Sequence, residues 1–489
     1  MTEVTGPSVL REGDTCWKVA RADRLAVIID AEDYFAVIRA AIQTARHSIL
    51  LIGWDFDTRI ELDRPSEDSD VPNKLGDLLT WVVDQNPDLQ VHVLRWNLGA
   101  MNALGRGTTP LVILNWMTDK RIHFQLDSAH PVGSAHHQKI VVIDDALAFC
   151  GGIDMTGDRW DTRAHLDEEP GRVRPSTKRS YGPWHDVSTA VDGDVARVLG
   201  DLARDRWHRA TGEVLDPPPP SDSGWPDRLV PLLCDVDVAL SRTAPEHDGR
   251  EPVHEIEALY LAAIAAARHT IYIESQYFAS RKIAEAMAAR LREPDGPEIV
   301  VVNPNEADGW LEEEVMGSSR ALLMGLVTKA DQHGRFRLYT PVTQQRNPIY
   351  VHAKVMVVDD RFLKVGSSNL NNRSLGFDTE CDLSIDAAMN GAIRDETRTA
   401  ILRLRHDLLA EHLGVSIEDV EQAVAHVDGS LIDAIEALRS EGRSLVLFEI
   451  PEVNSIEEAL FEESQLLDPE RPSSRWRGLQ RLKNLIPGW

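Results

Sequence analysis

The sequence predicts an α/β protein of two homologous sandwich halves, related by pseudo-twofold symmetry, with a small helical C-terminal tail. Three observations carry this: segments that recur in the same order, helical stretches alternating with short apolar runs, and a proline block between the two series. The repeat opens at Ala45–Ile52 (ARHSILLI), echoed by Ala267–Glu274 (ARHTIYIE). Each segment follows an alanine-containing helical pattern, Ala31 to Arg46 and Val253 to Arg268, and reads as a helix-to-strand junction. Further on, His137, Lys139 and Asp144 form a His-x-Lys-x-x-x-x-Asp motif, repeated by His352, Lys354 and Asp359. Six residues after each motif stand Gly151–Asp154 (GGID) and Gly366–Asn369 (GSSN).

The alternating elements follow in order. Val91–Arg95, Ile122–Leu126 and Ile140–Ile143 in the first half match Ile299–Val302, Phe336–Tyr339 and Val355–Val358 in the second. Such apolar runs, bounded by turn residues, are expected as strands buried on both faces. Pro217–Pro220 cannot continue a helix or a central strand, so this block is expected to link the halves. The division that results is 1–215 for the first half, with an extension to about 25, and 216–250 for the linker. The second half is then 251–410, with a helical extension over 411–489. In that tail Ser416–Gly442 and Ser455–Leu467 read as acidic helices, punctuated by Gly429 and Pro451, forming a cap or interaction surface.

Bulk properties narrow the function. The 489 residues are 43% hydrophobic and 27% charged, as in soluble globular proteins. A formal net charge of -27 argues against holding duplex nucleic acid through its phosphates, and against broad adsorption to anionic membranes. Arg172, Arg174, Lys178 and Arg179 are the clearest local basic stretch, readable equally as a solvated loop. The four cysteines (Cys16, Cys150, Cys234, Cys381) are widely spaced and are expected to be reduced and mostly buried. No apolar signal region is visible in Met1–Asp23, and the apolar runs are strand-sized, so a cytoplasmic protein is expected.

The spacing of the motif carries the chemistry. On an extended chain residues i and i+2 share a face, so His137 and Lys139 project together, as do His352 and Lys354. Two symmetric halves can bring both pairs into one cleft: two imidazoles flanked by two ammonium groups, suited to a phosphodiester. One neutral histidine attacks phosphorus while the other, protonated, donates to the leaving oxygen, and the lysines neutralise the non-bridging oxygens. Carboxylates on the far ring nitrogens would fix the tautomers, and no metal enters this scheme. A lone motif would be compatible with a strand end carrying a surface ion pair. Two copies in corresponding places, each followed by a glycine turn at one spacing, point to a shared site.

On these motifs the sequence resembles the phospholipase D superfamily, over about residues 25 to 415, and its phospholipase D branch in particular. The branch is matched by Gly151–Asp154 leading to Gly157–Thr162, by Pro183–Val187, by Arg206–Trp207 and by Ile271–Phe278. Ile349–Val351 ahead of the second motif, and Asn369, Asn372–Ser374 and Glu380 behind it, fit as well. The resemblance implies that branch's fold, with mixed sheets. It implies His137 as nucleophile and His352 as general acid and base, a choice the symmetry of the sequence leaves open. It implies Lys139 and Lys354 as phosphate ligands, and Asp186 and Glu380 as the carboxylates orienting the histidines. Asn369, Asp154, Gln276 and Trp184 are then expected to line the substrate site, and Asp144 and Asp359 to brace the motif strands.

The first half carries Asp154 where many superfamily members have Asn, a departure the phospholipase D branch shares; Ser275, where an amide is common, leaves the headgroup open. Glu274 is read as a brace or a lysine partner, and His136 and His185 as neighbours without a chemical role. The implied reaction is headgroup hydrolysis of a glycerophospholipid such as phosphatidylcholine, with exchange to a primary alcohol, by a cofactor-free monomer touching membranes weakly and without calcium. About 25 residues precede the first helix, too few for a calcium- or phosphoinositide-binding domain; Trp310–Leu311, in a loop, are a candidate for insertion into lipid. The rivals are a cardiolipin synthase-like phosphatidyltransferase, a nuclease or other phosphodiesterase, and an inactive binding module. No nucleic-acid partner is expected.

Overall fold

The computed structural model describes residues 6–63, 70–97, 116, 119–306, 310–389 and 394–449. The first half runs β1 (Lys18–Ile29), α1 (Ala31–Ile42), β2 (Ser48–Gly53), α2 (Leu75–Gln85), β3 (Gln90–Trp96) and β4 (Ile122–Asp127). It continues through β5 (Ile140–Ile143), β6 (Leu147–Gly151), β7 (Trp184–His185), β8 (Val187–Asp192) and α3 (Asp194–Thr211). The second half repeats this order: β9 (Leu233–Ala244), β10 (Val253–His254), α4 (Glu255–Ala266), β11 (Thr270–Glu274), α5 (Arg281–Leu291) and β12 (Glu298–Val302). Then come α6 (Trp310–Ala330), β13 (Phe336–Val342), β14 (Tyr350–Val351), β15 (Val355–Val358), β16 (Phe362–Gly366), α7 (Asn372–Gly376), β17 (Glu380–Asp386) and α8 (Asp395–Leu413). Helices α9 (Ile417–His426) and α10 (Leu431–Leu438) and strand β18 (Ser444–Leu447) follow.

The duplication is visible in strand order. From one edge the sheet reads β4-β3-β2-β5-β6-β8-β1, and from the other β13-β12-β11-β15-β16-β17-β9, with β18 added outside β13. In each half the three outer strands are parallel and the rest antiparallel, giving mixed sheets. The two series join where β1 and β9 pair antiparallel, Lys18 against Leu240 and Leu25 against Leu233, so the axis passes between them. The halves therefore share one continuous sheet.

Period-2 alternation sets the layers. Ile49 and Leu51 of β2, with Val141 and Ile143 of β5, face α1 and α2, whereas Leu50, Ile52, Ile140 and Val142 face inward. The second half repeats this: Ile271, Ile273 and Met356 face α4 and α5, and Tyr272, Val355 and Val357 face inward. Both inner faces, together with α3 and α8, close on one central core, where Val195, Leu199 and Trp207 are joined by Ile401, Leu404 and Leu408.

Several expectations change. The stretch expected as linker contains β9, the counterpart of β1, so the unpaired connection is limited to about 213–232. The tail is not purely helical, since β18 extends the sheet beside β13; Pro451 and Ser455–Leu467 lie outside the described residues. Trp310–Leu311 begin α6 rather than a loop. Arg172 is buried in ion-pair contact with Asp161, and Arg174 pairs with Asp158, so that basic stretch is only partly solvated. The cysteines are free, three buried and Cys234 exposed.

Candidate active site

Each His-x-Lys segment enters the sheet immediately before its motif strand. Because β5 is antiparallel to β2, and β15 to β11, both pairs sit at the carboxyl ends of the parallel strands, where open α/β sheets place their sites. The backbone N–H of His137 donates to Thr379 O at 3.0 Å, and that of His352 donates to His185 O at 2.8 Å. Each motif is thus docked on the opposite half. The imidazoles of His137 and His352 face one another with centroids 6.5 Å apart.

The orienting carboxylates cross between halves. Nδ1 of His137 lies 3.0 Å from both oxygens of Glu380, in the second half. Nδ1 of His352 lies 2.7 Å from Asp186 Oδ2, in the first. Donation from these nitrogens leaves each Nε2 with its lone pair free for chemistry. Glu380 also accepts from Ser367 Oγ (2.5 Å) and Ser374 Oγ (2.7 Å). Burial raises its carboxyl to about 8, opposed by the two hydroxyls and Lys139. Burial likewise raises Asp186, against the pull of Lys354.

The lysines differ. Lys139 Nζ bonds His137 O at 2.8 Å and pairs with Asp154 Oδ2 at 3.0 Å. Lys354 Nζ bonds His352 O but has Asn369 in the place of Asp154, and among the described residues no carboxylate forms an ion pair with it. Burial lowers its pKa to about 7, against the attraction of Asp186. Burial, then the lysine charges, also push both imidazoles well below their ordinary range: Lys139 and Lys354 on His137; Lys354, Arg159 and Lys139 on His352. Burial and the neighbouring cations thus favour neutral imidazoles between the two lysines, an arrangement suited to an anion.

Trp184 stacks on Tyr350 at 4.5 Å, lies 5.2 Å from the His352 ring and carries the Arg159 guanidinium on its face at 4.3 Å. Gln276 donates to the hydroxyls of Tyr277 and Tyr350 (2.9 and 2.8 Å) and meets Asn369 Nδ2 at 3.5 Å. Asn369 Oδ1 is buried without a hydrogen-bond partner. Asp154 is the ion-pair partner of Lys139 and accepts from Trp54 N, which places it beside the motif lysine. Asp144 and Asp359 stand at the far ends of β5 and β15. Each, at φ 53°, accepts three backbone N–H bonds: Asp144 from Arg46, His47 and Ser48; Asp359 from Arg268, His269 and Thr270. They brace the junctions that opened the repeat. Glu274 meets His185 and His412, and neither lysine. Sequence reasoning missed the serines that bind Glu380, although Ser367 lies in the repeated turn and Ser374 close behind it.

Two halves contribute matched His–Lys pairs to a single site, each histidine held by a carboxylate from the other half. A family model described as phospholipase D matches residues 41–218, and one described as cardiolipin synthase, PLD-like domain, matches 260–400. The chain belongs to the phospholipase D (HKD) superfamily. It is 26% identical to phospholipase D A of Dictyostelium discoideum, covering 79% of this chain and 35% of the relative. With phospholipase D1 of Schizosaccharomyces pombe the identity is 23%, covering 86% and 38%. With phospholipase D alpha 1 of Zea mays it is 24%, covering 79% and 64%. The chain thus spans between about a third and under two thirds of these relatives' lengths. Phosphatidylserine synthase of Haemophilus influenzae shares the fold, with a TM-score of 0.52 at 13% identity over 85% of this chain and 97% of that one. Among the described residues no helix is long and apolar enough to cross a membrane.

Proposed function

We propose that this protein is a phospholipase D-type phosphodiesterase, cleaving the headgroup from a glycerophospholipid to leave phosphatidic acid and exchanging the headgroup for a primary alcohol. The observation that carries it is the crossed pairing of His137 with Glu380 and His352 with Asp186 beside two buried lysines. His137, with its side chain 17% exposed against 6% for His352, is the more accessible nucleophile. Its Nε2 attacks phosphorus, and the P–O bond to the headgroup breaks as His352 Nε2–H protonates the departing oxygen. His352 then removes a proton from water or an alcohol, whose oxygen attacks phosphorus and breaks the P–N bond. The phosphodiester anion offsets the field of Lys139 and Lys354, so substrate binding itself raises the proton affinity of His352. The lysines then stabilise charge on the non-bridging oxygens, and Asn369 contributes a polar contact.

The test incubates the full chain with mixed phospholipid vesicles and a primary alcohol, with products identified by mass. Phosphatidyl-alcohol that disappears in His137→Ala supports the reading, and cleavage of a nucleotide diester with no lipid product refutes it. A second reading, transfer between two phospholipids, is favoured by the description of the model matching 260–400. Cardiolipin formed from phosphatidylglycerol vesicles would mark that activity. Action as a monomer and weak, calcium-independent vesicle contact belong to the main reading; tight calcium-dependent co-sedimentation would contradict it.

A further inference from the structure

Behind the catalytic pair lies a second, fully buried cluster to which the chemistry above assigns nothing. Four donor atoms converge there: Asp30 Oδ at the end of β1, His165 Nε2 from the loop before β7, His185 Nδ1 on β7 and Glu411 Oε1 near the end of α8. His185 Nδ1 is 3.1 Å from Asp30 Oδ1 and 2.8 Å from Glu411 Oε1, and His165 Nε2 is 3.1 Å from Glu411 Oε1 and 3.4 Å from Asp30 Oδ2. Ligands at 2.0–2.1 Å around a tetrahedral ion stand about 3.3 Å from one another, close to this set.

Three further features point the same way. Asp30 Oδ2 and His185 Nδ1 are buried without a hydrogen-bond partner, although other donor atoms lie within 3.4 Å of each. The outer nitrogens of both histidines are held by carboxylates: His165 Nδ1 by Asp161 at 2.9 Å, and His185 Nε2 by Glu274 at 2.9 Å. That is the carboxylate–histidine arrangement that turns the opposite ring nitrogen toward a metal. Charge is also unbalanced. Asp30, Asp161, Glu274 and Glu411 are buried, and besides His165, His185 and His412 only Arg163 and Arg172 among the described residues meet them in ion-pair contact; Arg443 lies nearby, donating to Ala164 O. With neutral imidazoles the four carboxylates outnumber the two paired arginines by two; against burial, the surrounding carboxylates raise the pKa of His165 and His185, so either two protons or a metal ion balances the cluster.

We infer that Asp30, His165, His185 and Glu411 form a structural site for a divalent first-row transition ion, zinc foremost, that staples the two halves together beneath the active centre. Two imidazoles and two carboxylates suit such an ion, and the complete set of protein ligands suits a structural role. The ion would sit one residue behind the general acid's carboxylate. Asp186 N donates to Asp30 Oδ1 at 3.1 Å and Asp30 N to Asp186 O at 2.8 Å, so holding Asp30 and His185 holds Asp186.

The test uses the full chain purified without a polyhistidine tag, its metal content read by mass spectrometry. About one equivalent of zinc or another first-row ion is expected, with Tm falling on removal by dipicolinate and recovering when Zn2+ alone is added. His165→Gln should lose the ion. Asp161→Asn, which leaves all four ligands in place, should weaken Zn2+ binding roughly 10–100-fold. Metal-free protein whose Tm ignores both chelator and Zn2+ overturns the inference, two protons then balancing the cluster. A bound ion retained at full affinity by both variants overturns the assignment to these residues. The wild-type measurement stands even if His165→Gln does not fold.

Discussion

Replacing Lys354 with methionine is expected to abolish turnover and yet make the protein more stable. Lys354 is fully buried, and its ammonium rests on the His352 carbonyl with no ion-pair partner among the described residues. An ordinary lysine titrates at 10.5 and this one at about 7, because burial disfavours its charge. At 1.36 kcal/mol per pH unit, the folded protein gives up about 5 kcal/mol at pH 6 to keep this group charged. Methionine also removes the hydrogen bond to His352 O, worth about 1 kcal/mol, leaving a gain of about 4 kcal/mol. The sign with pH follows from linkage. Between pH 7 and 10.5 the unfolded lysine holds a proton that the folded one has lost, so wild-type stability rises with pH and the advantage of methionine shrinks. It should fall to about 1 kcal/mol at pH 9. Urea unfolding of both proteins at pH 6 and pH 9 measures this, and kcat should drop by at least about 10²-fold. A methionine variant less stable than wild type at pH 6, or one whose advantage grows with pH, would refute the reasoning.

Other expectations rest on neighbouring groups. Asp186→Asn keeps the shape but offers His352 Nδ1 an amide, and kcat should fall about 10⁴-fold with little change in KM. Asp144→Ala or Asp359→Ala strands three backbone N–H groups, so the urea midpoint should drop by the equivalent of at least about 3 kcal/mol while the folded fraction keeps near-normal kcat. A Cβ on Gly152 would collide with the Asp186 carboxylate; Gly152→Ala should therefore lower kcat about 10²-fold through a misplaced His352, and an unchanged rate would show that the carboxylate's position is immaterial. If the charged form of Lys354 binds phosphate, as proposed, kcat/KM should decline as pH rises through about 7. The corresponding limb in kcat should lie at higher pH, since bound phosphate stabilises the ammonium; a kcat/KM flat to pH 9 would remove Lys354 from the binding step.

Much of this was legible in the sequence because the governing patterns are local. Alternation along β2, β5, β11 and β15 is a period-2 signal, and the spacing of His137 to Lys139 and of His352 to Lys354 fixes a shared direction on an extended chain. What escaped depends on contacts between distant segments. Strand β9 hid in the expected linker because Asp235 and Asp237 interrupt its apolar pattern and the proline block precedes it. Strand β18 is a four-residue edge strand, too short to separate from a loop. Asp154 reads as a ligand in a glycine turn, and only the fold shows its ion pair with Lys139. Asp30, His165, His185 and Glu411 are scattered over most of the chain, and each looks like an ordinary polar residue until the halves close.

The exchange of carboxylates across the axis makes this centre a mutual dependency. Neither half owns a working histidine: Glu380 serves the ring of the first, Asp186 that of the second. Severed between Pro217 and Pro220, each fragment would present a strand edge, β1 or β9, stripped of its partner, and an imidazole free to rotate. Activity in a mixture of such fragments would therefore rise as a second-order process in their concentrations, and neither copy could drift in sequence without the other having to follow.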